Sequence, residues 1–310
     1  RDDLSVRYAL AALHNNRAST YTGTDEDKLA IAGFQKSIDL LSPVLRERYD
    51  MYTVHDICNS YVLLADRYVA RDESAKAIQA MTESLALIRR ALKANPDQAF
   101  LKRHYSELLG TVAGLYARMG KLADADVAYE EALEIVRELV RQDPKLAMSR
   151  FDLAATLHNQ AKFLLLYLDR PLTAELQYRK AEQLLEELVE SNPQVRMYRR
   201  DLANTQLNSA ESLFRQGKRL PALSAFQKAL KTWEAYAKDY PRWRENHFQI
   251  LTCKAMVALL RNRRDEVLRL ASEMTKRDNP RERSGYEAAV VLMHLAGRTE
   301  GKAEREKILA

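Results

Sequence analysis

Three asparagines stand at matching places along this chain, at Asn15, Asn159 and Asn208. The first two are separated by three times 48 residues, and the third follows 49 residues later. A carboxamide side chain offers both a hydrogen-bond donor and an acceptor, so a row of such groups can hold a peptide backbone without reading its side chains. The alternative that the sequence leaves open is that each amide bonds to a neighbouring helix turn or to water.

The residue types that perform catalysis form no recognisable constellation in this sequence. It contains neither a glycine-rich phosphate loop nor a His-Glu-x-x-His sequence. His14 and His158 stand three repeats apart, too far to share a metal ion, and we interpret His55 and His104 as repeat equivalents as well. Repeated histidines are more typical of helix packing or surface positions than of ligands. We therefore predict a chain that is not an enzyme and has no catalytic, metal-binding or cofactor-binding residues.

A second pattern predicts the elements that carry the asparagines. An alanine is followed by an aromatic residue four positions on and by a small residue three further on. The motif occurs at Ala30-Phe34-Ser37, Ala125-Tyr129-Ala132, Ala174-Tyr178-Ala181 and Ala222-Phe226-Ala229, and at Ala77-Met81-Ser84 with Met in place of the ring. The successive alanines are 47, 48, 49 and 48 residues apart, and a proline follows the last four at a constant 19 residues. A fixed period of this size indicates stacked supersecondary units.

One repeat, Asp97 to Pro144, shows what the unit is. A helical pattern over 99–119 ends at Gly120, which is typical of a helix C-terminus. A second pattern over 122–141 ends before Asp143-Pro144. The chain has only 9 Gly in 310 residues, and strong helix formers dominate it. The predicted fold class is therefore all-α, an α-α superhelix of antiparallel helix pairs.

We predict one solenoid over residues 1–310. Its repeats span approximately 5–50, 51–96, 97–144, 145–193, 194–241 and 242–280, with a C-terminal capping or truncated repeat over 281–310. Pro43 is expected to kink or split the second helix of the first repeat. The turn near Asp169 is expected to hold one extra residue, and Thr24 or Asp25 is expected to cap the second helix.

The order of small, bulky, glycine and aromatic residues resembles the tetratricopeptide repeat, and residues 106–139 match nearly every position of that family's pattern. The matching residues are Ala113, Tyr116, Gly120, Ala125, Tyr129 and Ala132. The resemblance covers about residues 5–297. It implies that the first helix of each pair lines a concave groove that binds a peptide or a protein. A standard repeat has about 34 residues, so both helices should be longer by roughly two turns, about 10 Å each.

In the family's frame, the three asparagines lie on groove-lining first helices. They resemble the asparagine ladder of kinesin-light-chain-like tetratricopeptide proteins, in which the amide holds an extended peptide. The other groove candidates are polar residues of mixed charge: Asn59, Asp66, Arg118, His158, Lys162, Asn204, Glu211 and Arg215. The Lys and Arg set of the chaperone-type carboxylate clamp is missing, so a free acidic C-terminus is not the expected ligand.

The tract Tyr198-Arg199-Arg200-Asp201-Leu202-Ala203, followed by Asn208 and Gly217-Lys218, resembles the long-repeat regions attached to some bacterial eukaryote-like Ser/Thr protein kinases. No kinase signature occurs in this chain. Because the chain begins at Arg1 and stops at Ala310 inside a helical pattern, we expect it to be a fragment of a longer protein. The resemblance implies a non-catalytic recognition module in a parent with an upstream kinase domain.

Two other functions stay open on the sequence alone. One is self-association or regulation of an attached enzyme. The other is nucleic-acid binding through a basic C-terminal region with Arg261, Arg263, Arg264, Arg281 and Arg283. The chain carries 49 basic and 43 acidic residues, a net charge of +6, and the two signs interleave, which disfavours a nucleic-acid surface.

The two cysteines and the hydropathy pattern bear on location. Cys58 and Cys253 lie four repeats apart, so a disulfide between them is not expected in a stack where each repeat touches only its neighbours. They read as small buried residues of a reduced compartment, which predicts a cytoplasmic protein. No apolar run approaches the ~18 residues that a membrane span requires.

Overall fold

The computed structural model describes residues 2–21, 26–47, 50–241 and 244–276. That part of the chain contains twelve α-helices and no strand, so the all-α prediction is confirmed. The helices are α1 Asp2–Tyr21, α2 Asp27–Glu47, α3 Met51–Ala70, α4 Ser74–Ala94, α5 Ala99–Arg118, α6 Leu122–Gln142, α7 Ala147–Leu166, α8 Pro171–Ser191, α9 Arg196–Arg215, α10 Arg219–Asp239, α11 Arg244–Leu260 and α12 Arg264–Lys276. The predicted bounds of α5 and α6 agree with these to within one residue.

The chain divides into two compact units, Arg1–Phe163 and Leu164–Ala310. In the first unit, α1 packs on α2, α3 on α4 and α5 on α6, while α2 contacts α3 and α4 contacts α5. In the second unit, α9 packs on α10 and α11 on α12, while α8 contacts α9 and α10 contacts α11. Each unit is therefore built from helix pairs that stack on their sequence neighbours. The predicted repeat boundaries within a single domain over 1–310 stay a prediction.

The helices are long for this kind of repeat, as the sequence predicted. Ten of the twelve helices in the described ranges have 20 or 21 residues. At 1.5 Å per residue each is about 30 Å long. The first helix of a pair therefore extends several residues upstream of the positions that the standard repeat uses, and these added turns carry side chains that the family pattern does not describe.

In the five helix pairs after the first, the turn between the two helices has one residue in the left-handed backbone region. Gly120 and Gly217 occupy this place with φ of 73°, and in three other turns it is filled by Asp72, Asp169 and Asn262. Glycine carries no steric penalty there, and Asp and Asn tolerate the conformation better than most residues. In the third pair, the Lys121 amide donates to the Tyr116 carbonyl at 2.9 Å, which closes the helix end. The turn with Asp169 has four residues instead of three, so the expected insertion is confirmed.

The recurring motif forms the core. The alanine and the final small residue of every copy are buried, and so is the large residue between them. Phe34, Met81, Tyr178 and Phe226 are fully buried, and Tyr129 is 5 % exposed. Small residues let two helices approach while the larger side chains fill the space between them. The motif is thus packing and is not part of a binding site.

Pro43 does not split its helix. The helix α2 runs from Asp27 to Glu47 through this residue, so the expected split is wrong, while the kink stays a prediction. A proline removes one backbone hydrogen bond, here the one to the Asp39 carbonyl four residues earlier. Asp39 is exposed, so water can satisfy this carbonyl. The neighbouring Ser42 hydroxyl donates to the Ile38 carbonyl at 2.7 Å, which adds a bond in the same turn.

Both cysteines are buried, as predicted, and neither forms a disulfide in the described residues. Burial raises the pKa of the Cys58 thiol to about 12, so it stays protonated at neutral pH.

Some expectations lie outside the described residues: the cap at Thr24 or Asp25, the helix over 281–296, the residues after 302, and Arg281 and Arg283.

The close contact of Gly33 on α2 with α1 predicts that alanine substitutions at Gly33 and at Gly110 change stability in opposite directions. A Cβ on Gly33 would lie 2.7 Å from the Ala18 Cβ and 3.1 Å from the His14 carbonyl, whereas a Cβ on Gly110 meets nothing within 4 Å. We expect Gly33→Ala to lower the free energy of unfolding by about 1–3 kcal/mol through overpacking. The matched control Gly110→Ala should raise it by about 0.5–1 kcal/mol through helix propensity. Urea titration followed by circular dichroism measures both, and equal effects would contradict the close contact.

Candidate functional site

The first helices of the first unit share one polar and partly apolar face. On α3 it carries Tyr52, Asn59 and Asp66, which are seven residues apart and so fall on one stripe of the helix. The corresponding stripe of α5 carries Phe100 and Glu107. On α7 it carries Met148, Asn159 and Lys162. We call these stripes of α3, α5 and α7 the first-helix face.

Large apolar side chains stand at the upstream end of this face at a constant interval. They are Leu4, Tyr52, Phe100 and Met148, at intervals of 48 residues. We call these four residues the apolar ladder. Tyr52 is 59 % exposed and Met148 37 %, while Leu4 and Phe100 are half-buried. The rings of Tyr52 and Phe100 meet with centroids 5.3 Å apart, so these two members contact each other.

The apolar ladder was not among the residues predicted from the sequence, although its 48-residue interval is visible there. Each member lies at the second residue of α3, α5 or α7, or the third of α1. These places belong to the added turns upstream of the standard repeat. The family pattern assigns no role to them, so a search guided by that pattern stops short of the ladder.

Two histidines lie directly behind the ladder, and their relation differs from the expected one. His55 is the fifth residue of α3 and His104 the sixth of α5, so they are not repeat equivalents. Their rings contact each other across the two helices, with centroids 4.2 Å apart. Asp56 Oδ1 lies 3.0 Å from His55 Nδ1, and the Tyr8 hydroxyl donates to Asp56. This network joins α1, α3 and α5 beneath the first-helix face.

The buried histidine predicts a loss of stability on mild acidification. Burial, and then the neighbouring His55, lower the pKa of His104, while Glu107 and Asp56 oppose them. His104 is 2 % exposed, so the fold holds it neutral, whereas the unfolded chain takes up a proton near pH 6.5. The contribution of neutral His104 to the free energy of unfolding is complete above that pH. It is lost as the pH falls towards the lower pKa that His104 has in the folded state.

Urea midpoints at about pH 7.5 and 5.5 bracket the unfolded-state value and test this expectation. When the pH is lowered from the higher to the lower value, the wild type should lose more stability than the His104→Gln variant does. Parallel losses would show that His104 does not sense pH in this window. The carboxylates with lowered pKa in this region, Asp56 and Glu107, titrate well below it and do not interfere.

Two of the predicted site residues, Asp66 and Arg118, are brought together by the structure. Arg118 of α5 and Arg67 of α3 both donate to the Asp66 carboxylate. Although burial favours the neutral acid, these two guanidinium groups outweigh it and lower the pKa of Asp66. Arg67 also bonds Asp27 of α2 at 3.2 Å. The pair thus links successive helix pairs and belongs to the framework of the face.

A second ion pair fastens α5 to α7. Arg103 Nε donates to Asp152 Oδ2 at 2.5 Å, and its Nη2 donates to Oδ1 at 3.3 Å. Asp152 is buried. Burial raises the pKa of Asp152 even though Arg103 acts in the opposite direction. The arrangement is bidentate, which holds the upstream turns of the two helices in a fixed relation.

The asparagines do not all have the same surroundings. Asn15 Nδ2 donates to the Ser60 hydroxyl at 3.1 Å, so this amide ties α1 to α3. The Asn59 amide lies 3.2 Å from a His55 ring nitrogen. Asn159 is exposed and its side chain makes no hydrogen bond with the described residues. Of these three, Asn159 is therefore the amide that a ligand can reach without displacing a partner.

The remaining candidates divide between the two units. His158 is half-buried on α7, and its pKa is lowered by burial and by the ammonium of Lys162. In the second unit, Asn204 and Asn208 are half-buried on α9. Glu211 accepts a bond from Arg215 Nε at 3.0 Å, and Arg215 Nη1 reaches the Leu165 carbonyl at 3.5 Å. That any of these residues contacts a partner stays a prediction.

Three other kinds of site concern metal ions, membranes and nucleic acids. In the described ranges, no group of three His, Cys, Asp or Glu side chains is placed to hold a metal ion. None of the helices described there is both long and apolar enough to cross a membrane. Of the basic C-terminal region, Arg261 is exposed, and Arg263 pairs with Glu266 at 3.3 Å. Nucleic-acid binding through this region stays a prediction.

No protein-family model matches the chain, and no curated protein matches its sequence. Solved structures do resemble it. BtubC (BKLC) from P. vanneervenii is 15 % identical with a TM-score of 0.60, over 87 % of this chain and 92 % of that one. A Rap protein complexed with Competence and Sporulation Factor is 14 % identical with a TM-score of 0.64, over 96 % of this chain and 71 % of that one. At such identities the similarity concerns the fold, which is a helical repeat solenoid of the tetratricopeptide type.

Proposed function

We propose that this chain is a non-catalytic scaffold that binds a peptide segment or a protein surface along its first-helix face. The observation that carries the proposal is the apolar ladder. Single exposed apolar residues are ordinary on protein surfaces. Exposed or half-buried large side chains at one repeat interval, two of them in ring contact, support an interaction site, because clustered apolar surface marks such sites.

The framework beneath the patch supports the same proposal. The ion pairs of Asp66 and Asp152 and the histidine contact all join neighbouring first helices. They fix the spacing between successive ladder members before a ligand arrives. A preorganised surface loses less conformational entropy on binding. Among structures of similar fold, the Rap protein was solved in complex with Competence and Sporulation Factor, which supports the proposal by analogy.

The proposal is tested with ligands selected from a displayed peptide library against the immobilised chain. Tyr52→Ala combined with Phe100→Ala should weaken the selected ligands by about 10- to 100-fold in isothermal titration calorimetry, because central aromatic contacts dominate interfaces. Leu172→Ala combined with Leu176→Ala is the matched control, since both leucines are exposed on α8, a second helix. It should bind as the wild type does. Unchanged affinity in the aromatic double variant would refute the proposed surface.

The amides are tested in the same assay. Asn159→Ala with Asn208→Ala should weaken binding while leaving the thermal midpoint nearly unchanged. If the thermal midpoint falls sharply and the folded fraction binds normally, the asparagines are structural.

We further propose that the chain is a cytoplasmic recognition module of a longer protein. Its association with a bacterial Ser/Thr kinase rests on the tract Tyr198 to Ala203, and the upstream sequence of the parent protein tests it.

A further inference from the structure

The aromatic end of the first-helix face carries an excess of negative charge. Tyr52 and Phe100 are in ring contact, and Glu107 stands two helical turns downstream of Phe100 on the same stripe of α5. The Glu107 side chain is 56 % exposed. On α3, Asp56 follows Tyr52 by four residues and is half-buried. Two carboxylates therefore lie within two helical turns of the aromatic pair.

A chain of side-chain contacts joins these carboxylates to the aromatic pair. The ring of His55 lies 5.9 Å from that of Phe100 and 4.2 Å from that of His104, measured between centroids. His104 Nδ1 lies 3.8 Å from Glu107 Oε2, and His55 Nδ1 lies 3.0 Å from Asp56 Oδ1. The rings and the carboxylates thus form one cluster on α3 and α5, within the first unit.

Both carboxylates are ionised at neutral pH. The neighbouring His104 lowers the pKa of Glu107, although burial acts in the opposite direction. Burial favours neutral Asp56, but the bonds from His55 and Tyr8 outweigh it and lower the pKa of that carboxyl. His104 adds no compensating charge, because burial lowers its own pKa. The cluster therefore presents negative charge next to its rings.

This negative charge is not neutralised by a basic side chain. No lysine or arginine of the described ranges forms an ion pair with Asp56 or Glu107. Arg103, about one turn after Phe100, contributes to the lowered pKa of Glu107, but its guanidinium is held by the buried Asp152. The charges of that pair cancel each other. A cation is therefore the group that the exposed part of the cluster lacks.

We propose that the ligand of the first-helix face is a basic peptide segment, which places an apolar side chain on Tyr52 and Phe100 and a lysine or arginine against Glu107. The aliphatic stem of a basic residue packs on apolar surface while its charged head reaches outward, and aromatic faces attract cations. Complementary charge selects one class of partner and repels the opposite class. This inference rests on the proposed function, since it assigns a ligand class to the same surface.

Peptides of opposite charge test the sign of the ligand. The peptides selected from the displayed library on the wild type should carry more Lys and Arg than Asp and Glu. Replacing the basic residues of one selected peptide by glutamate should weaken its binding at least about 10-fold in titration calorimetry. Raising NaCl from about 0.1 to about 1 M shortens the Debye length from about 10 to about 3 Å and should narrow this difference.

Variants of Glu107 locate the charge that the ligand meets. Glu107→Gln keeps the shape of the side chain and should weaken the basic peptide about 2- to 5-fold, as expected for one partly exposed ion pair. Glu107→Lys should weaken it at least about 10-fold and strengthen binding of the glutamate version. The matched control is Glu134→Lys, at an exposed carboxylate of the second helix α6. It changes the net charge equally and should leave both affinities within about twofold.

Three outcomes would overturn the inference. They are selected peptides without an excess of basic residues, a Glu107→Lys protein that keeps the wild-type preference, and an equal effect of Glu134→Lys. If the selected peptides are still weakened by Tyr52→Ala combined with Phe100→Ala, the proposed function stands and only the ligand class is wrong. Binding that ignores the aromatic pair as well would refute both.

Discussion

Replacing Trp233 by alanine is expected to lower the free energy of unfolding by about 3–5 kcal/mol. Trp233 is fully buried in the core formed by α9, α10, α11 and α12 of the second unit. Its ring meets Tyr236 edge to face, with centroids 5.7 Å apart and an interplanar angle of 90°. The substitution removes the largest side chain of that core and leaves a cavity that long, mutually packed helices close only in part.

Two further variants sharpen the test. The indole Nε1 of Trp233 has no hydrogen-bond partner among the described residues, so Trp233→Phe keeps most of the packing and removes an unsatisfied polar group. It should be clearly less destabilising than Trp233→Ala. Leu220→Ala lies on the same helix but is 75 % exposed, and we expect a change within about 0.5 kcal/mol. Urea titrations followed by circular dichroism measure all three. A loss below about 1 kcal/mol for Trp233→Ala would show that this core is loosely packed.

Replacing Arg103 by alanine should lower the stability of the first unit by about 2–3 kcal/mol. The substitution leaves the buried Asp152 without its bidentate partner, and an uncompensated buried carboxylate is strongly destabilising. We place the value below that of a fully buried pair because the Arg103 side chain is 25 % exposed and solvent screens part of the interaction.

A double-mutant cycle separates the pair from the two side chains. Arg103→Ala combined with Asp152→Ala should be less destabilising than the sum of the single variants, by about 0.5–3 kcal/mol. The control Arg141→Ala breaks the exposed pair with Glu138 on α6, whose distance of 2.7 Å is similar to the 2.5 Å of the buried pair. It should change stability by about 0–0.5 kcal/mol. Additive effects for Arg103 and Asp152 would mean that the contact between them contributes nothing to stability.

The sequence predicted the helix pairs well because their signals are local and repeated. A left-handed residue such as Gly120, the prolines and the Ala–ring–small motif each act within one or two helix turns. The continuity of α2 through Pro43 has a local cause too, since Asp39 is exposed, so that water can bond its carbonyl, and Ser42 adds a bond in the same turn.

The site was less predictable because its order is set by contacts between repeats. Asp66 and Arg118 look like two groove residues in the sequence, and only the stacking of α3 on α5 shows that they neutralise each other. Asn15 and Asn159 stand at matching positions in the sequence, yet only Asn15 donates a hydrogen bond to the Ser60 hydroxyl. Periodicity locates equivalent backbone positions, while the identity of the residue one repeat away decides whether a side chain is available.

The added turns of the first helices also set the width of the surface. Tyr52 and Asn59 are seven residues apart on α3, and Phe100 and Glu107 are seven apart on α5. At 1.5 Å per residue, this separates the two aromatic side chains from the two polar ones by about 10 Å. An extended strand places its backbone about 4.8 Å from a neighbouring strand and would follow either the aromatic or the polar side chains. An α-helix with its side chains is about 10–12 Å across, so a helical ligand lying across α3 and α5 is wide enough to touch both at once.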